Sequence, residues 1–421
     1  RLSLVGSEMC IRDRYRRYLC TACESRGSGN GIRRINCERM RNQRIIWLLT
    51  AGLGAFLLTG CGGEQKKTYE QANTDLEQGN YDYALNEYQS CISAGYKLSD
   101  SYRGSGIVKL RTGDYQGAID DLTSALNDEE TGKSDRKDIL EYRATAELKA
   151  ELYDQAMADC QTLAEDYSLT ANDYYLTGCV ALAMDSYDEA SSNFSKAYGD
   201  EATYEMAIQI YEAYLGHDME ADGTKYLEAS LKTEAKTAED YCERGKVYYY
   251  MEDYDNARTE LSAAADKNST EAVLLLGMVY MAQGDTAGAR SFFQQYIEAD
   301  GEDPAKGYNG LALCDIADGS YDSALENISK GLGDAESDEM QDLLFNEIVA
   351  YERKMDFATA LSKTQEYVNM FKDDQAAAKE LIFLQSRVGN QSTETAADTS
   401  AESTAQDNTA DTTTDGSSEE N

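Results

Sequence analysis

Four stretches decide the fold: Gly79-Asn-Tyr-Asp-Tyr-Ala84, Gly113-Asp-Tyr-Gln-Gly-Ala118, Glu252-Asp-Tyr-Asp-Asn-Ala257 and Gly319-Ser-Tyr-Asp-Ser-Ala324. Each reads as a turn residue, a short polar residue, Tyr, two variable positions and Ala. Related versions end at Ala156, Ala190, Ala289 and Ala360, with a degenerate one near Asp222, so successive units are spaced by 34, 38, 34, 32, 35, 32, 35 and 36 residues. Other positions recur in the same register. A small residue stands twelve before the alanine (Ala72, Gly106, Ala144, Gly178, Gly245, Gly277, Ala312), and a large apolar one stands four after it (Tyr88, Leu122, Phe194, Leu261, Phe293, Ile328). A small residue on each helix of a pair lets the two axes approach to the close end of the ~8 to 10 Å range, and larger side chains then fill the flanking grooves. Asn80, Asp114, Ser186, Asp253, Asp285, Ser320 and Asp356 sit just ahead of each second helix, where a side-chain oxygen can cap free amides. Each helix pair is apolar on both broad sides, so it must stack on its neighbours.

This pattern resembles the tetratricopeptide repeat, whose period is about 34 residues. The resemblance covers about nine units from Thr68 to Tyr367 and implies an all-α fold, a right-handed superhelix of antiparallel helix pairs with a concave and a convex face. Gln375 to Val388 is read as a last helix covering the end of the stack, giving a solenoid over 68–388. The chain departs from the family in three ways. The proline that usually closes a unit is missing, with Pro304 the sole candidate. The fifth unit, Ala202 to Leu231, lacks the clean signature and is expected to bend or break the array. The Lys and Asn pattern that clamps a C-terminal carboxylate in some tetratricopeptide co-chaperones is unmet: Asn73 occupies one such place, but its neighbour is Tyr69.

The ends of the chain carry different signals. Met40-Arg-Asn-Gln-Arg44 followed by the apolar run Ile45 to Leu58 gives a methionine, a basic segment and an apolar core in the order that export requires. Fourteen residues make a helix of about 21 Å, short of the ~30 Å hydrocarbon core of a bilayer. The run ends in Leu58-Thr59-Gly60-Cys61, which resembles the lipobox of bacterial lipoproteins. In that family the signal, here 40–60, is cut between the residues matching Gly60 and Cys61, and the cysteine is lipidated. The resemblance therefore implies attachment to the extracytoplasmic face of a membrane through Cys61, with 61–67 as a short linker. Upstream, Leu4 to Arg14 (LVGSEMCIRDR) resembles a translated sequencing adapter, so residues 1–39 are read as foreign to the protein, their Cys20-x-x-Cys23 included. From Gly389 to Asn421 there is no aromatic and no Lys or Arg, which reads as a disordered acidic tail.

Charge restricts partners. The 421 residues carry a formal net charge of −38. The first sixty hold 11 Arg, no Lys and four acids, which leaves 28 bases against 73 acids from Cys61 onward, a net charge near −45. Such a surface repels phosphate backbones, so nucleic acid is not an expected partner, whereas proteins with basic segments are. The single histidine, His217, rules out a His-based metal site or triad within one chain. Asp218-Met-Glu-Ala-Asp-Gly223 has the opening of a calcium loop, but Ala229 stands where the closing acid belongs, so a plain turn is expected. No phosphate-binding loop or dinucleotide glycine pattern occurs; no cofactor, metal or catalytic residue is assigned. Cys91, Cys160, Cys179, Cys242 and Cys314 fall in helices at positions for small apolar residues and are expected to be buried free thiols. The repeat register places Tyr175 and Tyr249, from the clusters Tyr174-Tyr175 and Tyr248-Tyr249-Tyr250, on the concave side as amphipathic anchors for a peptide. The functional expectation is a non-enzymatic, membrane-anchored interaction scaffold of the bacterial envelope. The alternative is an accessory or glycan-binding subunit of an envelope enzyme.

Overall fold

The computed structural model describes residues 61–299, 303–334, 337–371, 374 and 376–388. Residues 1–60 and 389–421 lie outside the described residues, and with them the export signal, Gly60, the adapter-like stretch and the acidic tail. Every regular element among the described residues is a helix. In chain order these are α1 (Cys61–Glu77), α2 (Tyr81–Ser93), α3 (Leu98–Arg111), α4 (Tyr115–Asn127), α5 (Lys133–Lys149), α6 (Tyr153–Asp166), α7 (Ala171–Ala183), α8 (Tyr187–Asp200), α9 (Tyr204–Leu215), α10 (Glu220–Ser230), α11 (Ala238–Tyr250), α12 (Tyr254–Ala265), α13 (Thr270–Ala282), α14 (Thr286–Glu298), α15 (Pro304–Ala317), α16 (Tyr321–Asp334), α17 (Ser337–Arg353) and α18 (Phe357–Met370). A further helix, α19, spans 376–388. The chain divides into two compact units, one ending at Asp285 with α1–α13 and one from Thr286 with α14–α19.

Within each unit the helices pair in chain order, and the packing follows the small-and-large register. Ala84, Ala118, Ala156, Ala190 and Ala257 in the first unit, and Ala289, Ala324 and Ala360 in the second, are all 0 % exposed. A Cβ added to Gly106 would sit 2.7 Å from Leu122 Cγ, and one on Gly245 would sit 2.5 Å from Leu261 Cγ. The side chain four residues past the alanine thus fills the space a first-helix glycine leaves open.

The fifth unit follows the same geometry with the sizes exchanged. Its large residue is Tyr211 on α9, and its small one is Gly223 on α10, where an added Cβ would lie 2.8 Å from Tyr211 Cα. The register therefore falls on Gly223, not Asp222, and the unit packs as an ordinary helix pair.

The turns explain the opening glycines. Within all nine hairpins, from Asn80 N to Asp75 O (2.8 Å) through to Asp356 N to Tyr351 O (3.0 Å), an amide reaches back five residues to close the first helix. The residue before that amide is left-handed, φ 73° at Gly79 and 75° at Gly113 and Gly319, but also 61° at Glu151, 58° at Glu252 and 65° at Met355. Asp114, Asp253 and Asp356 then accept a hydrogen bond from the third residue of the next helix. Asn80 and Ser186, expected as caps, make no such bond; Asn80 Nδ2 instead donates to Asp75 Oδ1 at 3.0 Å. First helices have caps of their own, at Thr170, Thr203, Thr237, Ser269 and Asp303.

Two boundary readings change. The stretch 61–67 is not an extended linker but the first turns of α1, because Glu64-Gln-Lys-Lys67 are helix formers with no proline after them. Pro304 opens α15 at its first position instead of closing a unit; its missing N–H is unneeded there. Asp374 caps α19, its Oδ1 accepting from the amides of Ala376 and Ala377, both at 3.0 Å.

Candidate functional site

The surface that could take a partner is the face built by consecutive first helices in the first unit, chiefly α7, α9 and α11. Tyr175 on α7 is half-buried; its hydroxyl donates to the Gln209 carbonyl of α9 at 3.4 Å, and its ring centroid lies 5.9 Å from that of Phe194. It stays partly exposed, as an amphipathic anchor requires. Tyr249 does not. It is 8 % exposed and meets Tyr250 and Tyr254 edge-on, at centroid distances of 6.3 and 5.8 Å, so its place is between helices and not on an open surface. Helix register alone could not separate these two, because burial there depends on how far the next helix reaches.

Carboxylates dominate this face. Gln209 Nε2 donates to Glu205 Oε1 at 3.4 Å, and Tyr250 O–H donates to Glu212 Oε1 at 2.5 Å. Lys246, 2 % exposed, bridges Glu243 of its own helix at 2.8 Å and Glu271 of α13 at 2.7 Å. Arg244 pairs with Glu260 at 3.2 Å. The basic groups of α11 are therefore committed to carboxylates, and Glu239 is exposed. Sequence reading missed the pairings between helices, such as Tyr250 with Glu212 and Lys246 with Glu271, because nothing local in the chain marks them.

Other candidate chemistry dissolves. In Asp218–Gly223, Asp218 is a left-handed turn residue, while Glu220 and Asp222 sit in the first turn of α10; Glu220 accepts from Tyr211 O–H at 3.0 Å. Glu220 and Asp222 lie on a helix and do not continue a loop from Asp218. His217 is exposed in the turn. Among the described residues no group of three metal-ligating side chains converges, and no helix is long and apolar enough to cross a membrane. Cys91, Cys160, Cys242 and Cys314 are buried free thiols and Cys179 is a half-buried one. Burial pushes Cys160 up to about 11 and Cys179 and Cys314 up to about 12, so these remain protonated and unreactive. Cys61 is the first residue of α1.

Residues 242–304 match a family model described as a tetratricopeptide repeat. Lipopolysaccharide assembly protein B of Escherichia coli strain K12 is 31 % identical over 174 residues, which is 38 % of this chain and 44 % of that protein. The chain thus spans less than half the length of the curated relative it matches. Among solved structures, a tetratricopeptide repeat protein from Parabacteroides merdae is 17 % identical and covers 60 % of this chain and 99 % of its own, with a TM-score of 0.38. Yeast Tom70 is 13 % identical and covers 78 % of this chain and 89 % of its own, with a TM-score of 0.35.

Proposed function

We propose that the protein is a non-catalytic scaffold that holds basic segments of other proteins against its tetratricopeptide repeats, at the outer face of a bacterial membrane to which Cys61 tethers it. The observation that carries the binding half is the acid-dominated face of α9 and α11, whose Lys246 and Arg244 are occupied by Glu243, Glu271 and Glu260. A cationic peptide meets there a net negative field that steers it in. Tyr175 supplies an aromatic contact beside them. The tether rests on the likeness of Leu58-Thr59-Gly60-Cys61 to a lipobox, and a relative named for lipopolysaccharide assembly supports an envelope setting. The decisive binding experiment is titration of the full chain with a labelled oligo-lysine/leucine peptide and its glutamate counterpart at low and high salt. Binding of the basic peptide alone, weakened at least ~10-fold by salt, is expected. Equal binding of both peptides, or affinity unchanged by salt, contradicts the reading.

A further inference from the structure

Helix α5 carries two clusters of the same make-up, each with one base and two carboxylates, of which Asp173, Glu147 and Asp159 are buried while the Glu141 side chain is 37 % exposed. In the first, Lys137 Nζ lies 3.0 Å from Glu141 Oε1 on its own helix and 2.7 Å from Asp173 Oδ2 on α7. Asp173 is 2 % exposed, and all its donors reach the same oxygen: Thr170 N at 2.7 Å, Thr170 Oγ1 at 2.9 Å and Lys137 Nζ. Its Oδ1 is buried without a hydrogen-bond partner. In the second cluster, Arg143 donates to both oxygens of Asp159 on α6, each at 2.7 Å, and lies 3.8 Å from Glu147 Oε1. Glu147 and Asp159 are 4 % and 5 % exposed, and Glu147 Oε2 is buried with no partner. Arg143 also donates to Thr123 Oγ1 of α4. The remaining titratable neighbours are Cys160 on α6, held as a thiol, and Tyr142, beside the separate ion pair of Arg103 on α3 with Asp138.

One positive charge cannot neutralise two carboxylates, and each cluster leaves one buried carboxyl oxygen without a donor. A proton supplies both deficits, since a protonated carboxyl gains an O–H and loses its charge. We propose that α5 is a proton-operated joint of the solenoid: Glu141 takes up a proton to close on Asp173 of α7, Glu147 takes one up beside Asp159 of α6, and their loss loosens α5 from both helices. Burial, with Asp173 and Asp159 as neighbouring negative charges, pushes both glutamic acids up to about 7, while Lys137 and Thr170 hold Asp173 below the usual range. The sign follows by linkage. A glutamic acid raised in the folded state contributes stability that is complete below its unfolded value and is lost as pH rises through its folded one. The joint should therefore be tight at pH 5.5 and loose at pH 8.5.

Hydrogen exchange of the full chain at those two pH values, corrected for intrinsic exchange rates, reads the joint directly. Protection of α5 amides should fall on the order of 10-fold from pH 5.5 to 8.5 in the wild type. In E141Q/E147Q, whose amides donate without titrating, α5 should hold its low-pH protection throughout. A double variant that keeps the wild-type pH dependence, or a wild type without any in α5, overturns the proposal. Carbon-13 carboxyl titration of the wild-type chain gives an independent reading should the variant fail to fold: both glutamic acids titrating near neutrality supports the joint, and both titrating below pH 5 defeats it.

Discussion

Gly104→Ala tests how closely neighbouring repeats are fitted. Gly104 on α3 faces Tyr88 on α2 of the preceding pair, and a Cβ there would lie 2.3, 2.4 and 2.8 Å from three atoms of the Tyr88 ring. The ring has nowhere to go. It is 1 % exposed, and its hydroxyl donates to Asn73 Oδ1 at 2.6 Å. Overpacking of this kind costs ~1–3 kcal/mol, and forcing the ring from Asn73 costs a further ~1 kcal/mol. Alanine returns ~1 kcal/mol of helix propensity over glycine. The net is a loss of about 2 kcal/mol, roughly 30-fold in the local opening equilibrium. Gly199→Ala is the matched control, since nothing lies within 4 Å of its added Cβ, and it should stabilise α8 by up to ~1 kcal/mol. Hydrogen exchange resolved to α2 and α3, with urea unfolding as the global readout, measures both. Tyr88→Leu should lose less in the Gly104→Ala background than alone, a coupling of ~1 kcal/mol. If Gly104→Ala is neutral or stabilising like the control, the ring does not fill that space and the inter-repeat register is wrong.

Other outcomes follow from the turns, the last helix and the binding face. Met355→Gly removes a left-handed side chain that is 68 % exposed, so it should raise stability by ~1 kcal/mol in thermal unfolding. Burial, with Glu380 of α19 facing it, pushes Glu352 of α17 from its ordinary 4.5 up to about 9; its contribution is complete below that ordinary value and lost as pH passes 9. Exchange protection of α19 should therefore drop between pH 7 and 10 in the wild type and stay level in E352Q. Tyr175→Ala should weaken a basic peptide ~10-fold by fluorescence anisotropy, while Tyr249→Ala should lower stability instead, by ~3 kcal/mol in urea unfolding.

The helix pairs were legible because their packing is written in residue size at fixed spacing, and a side chain such as Ala118 admits only one face. What escaped depends on the third dimension. Glu151 and Met355 turn left-handed like Gly79, yet no local signal marks them, because the closing hydrogen bond and not the side chain fixes that φ. Tyr211 and Gly223 exchange sizes, which breaks a pattern defined by one order while preserving the contact it encodes. Tyr175 and Tyr249 look alike in the chain and part company only when α9 and α12 are in place. The triads of Lys137 and Arg143 join α5 to other helices, and in a chain with acids at so many positions composition cannot reveal which two share a base.

Mass spectrometry of the mature N-terminus from membranes of an expressing bacterium bears most directly on the scaffold as a tethered one. The account predicts a terminal peptide that begins at Cys61 with a diacylglyceryl mass on it, absent from Cys61→Ala. An unlipidated terminal peptide, or one that contains residues upstream of Cys61, would contradict it.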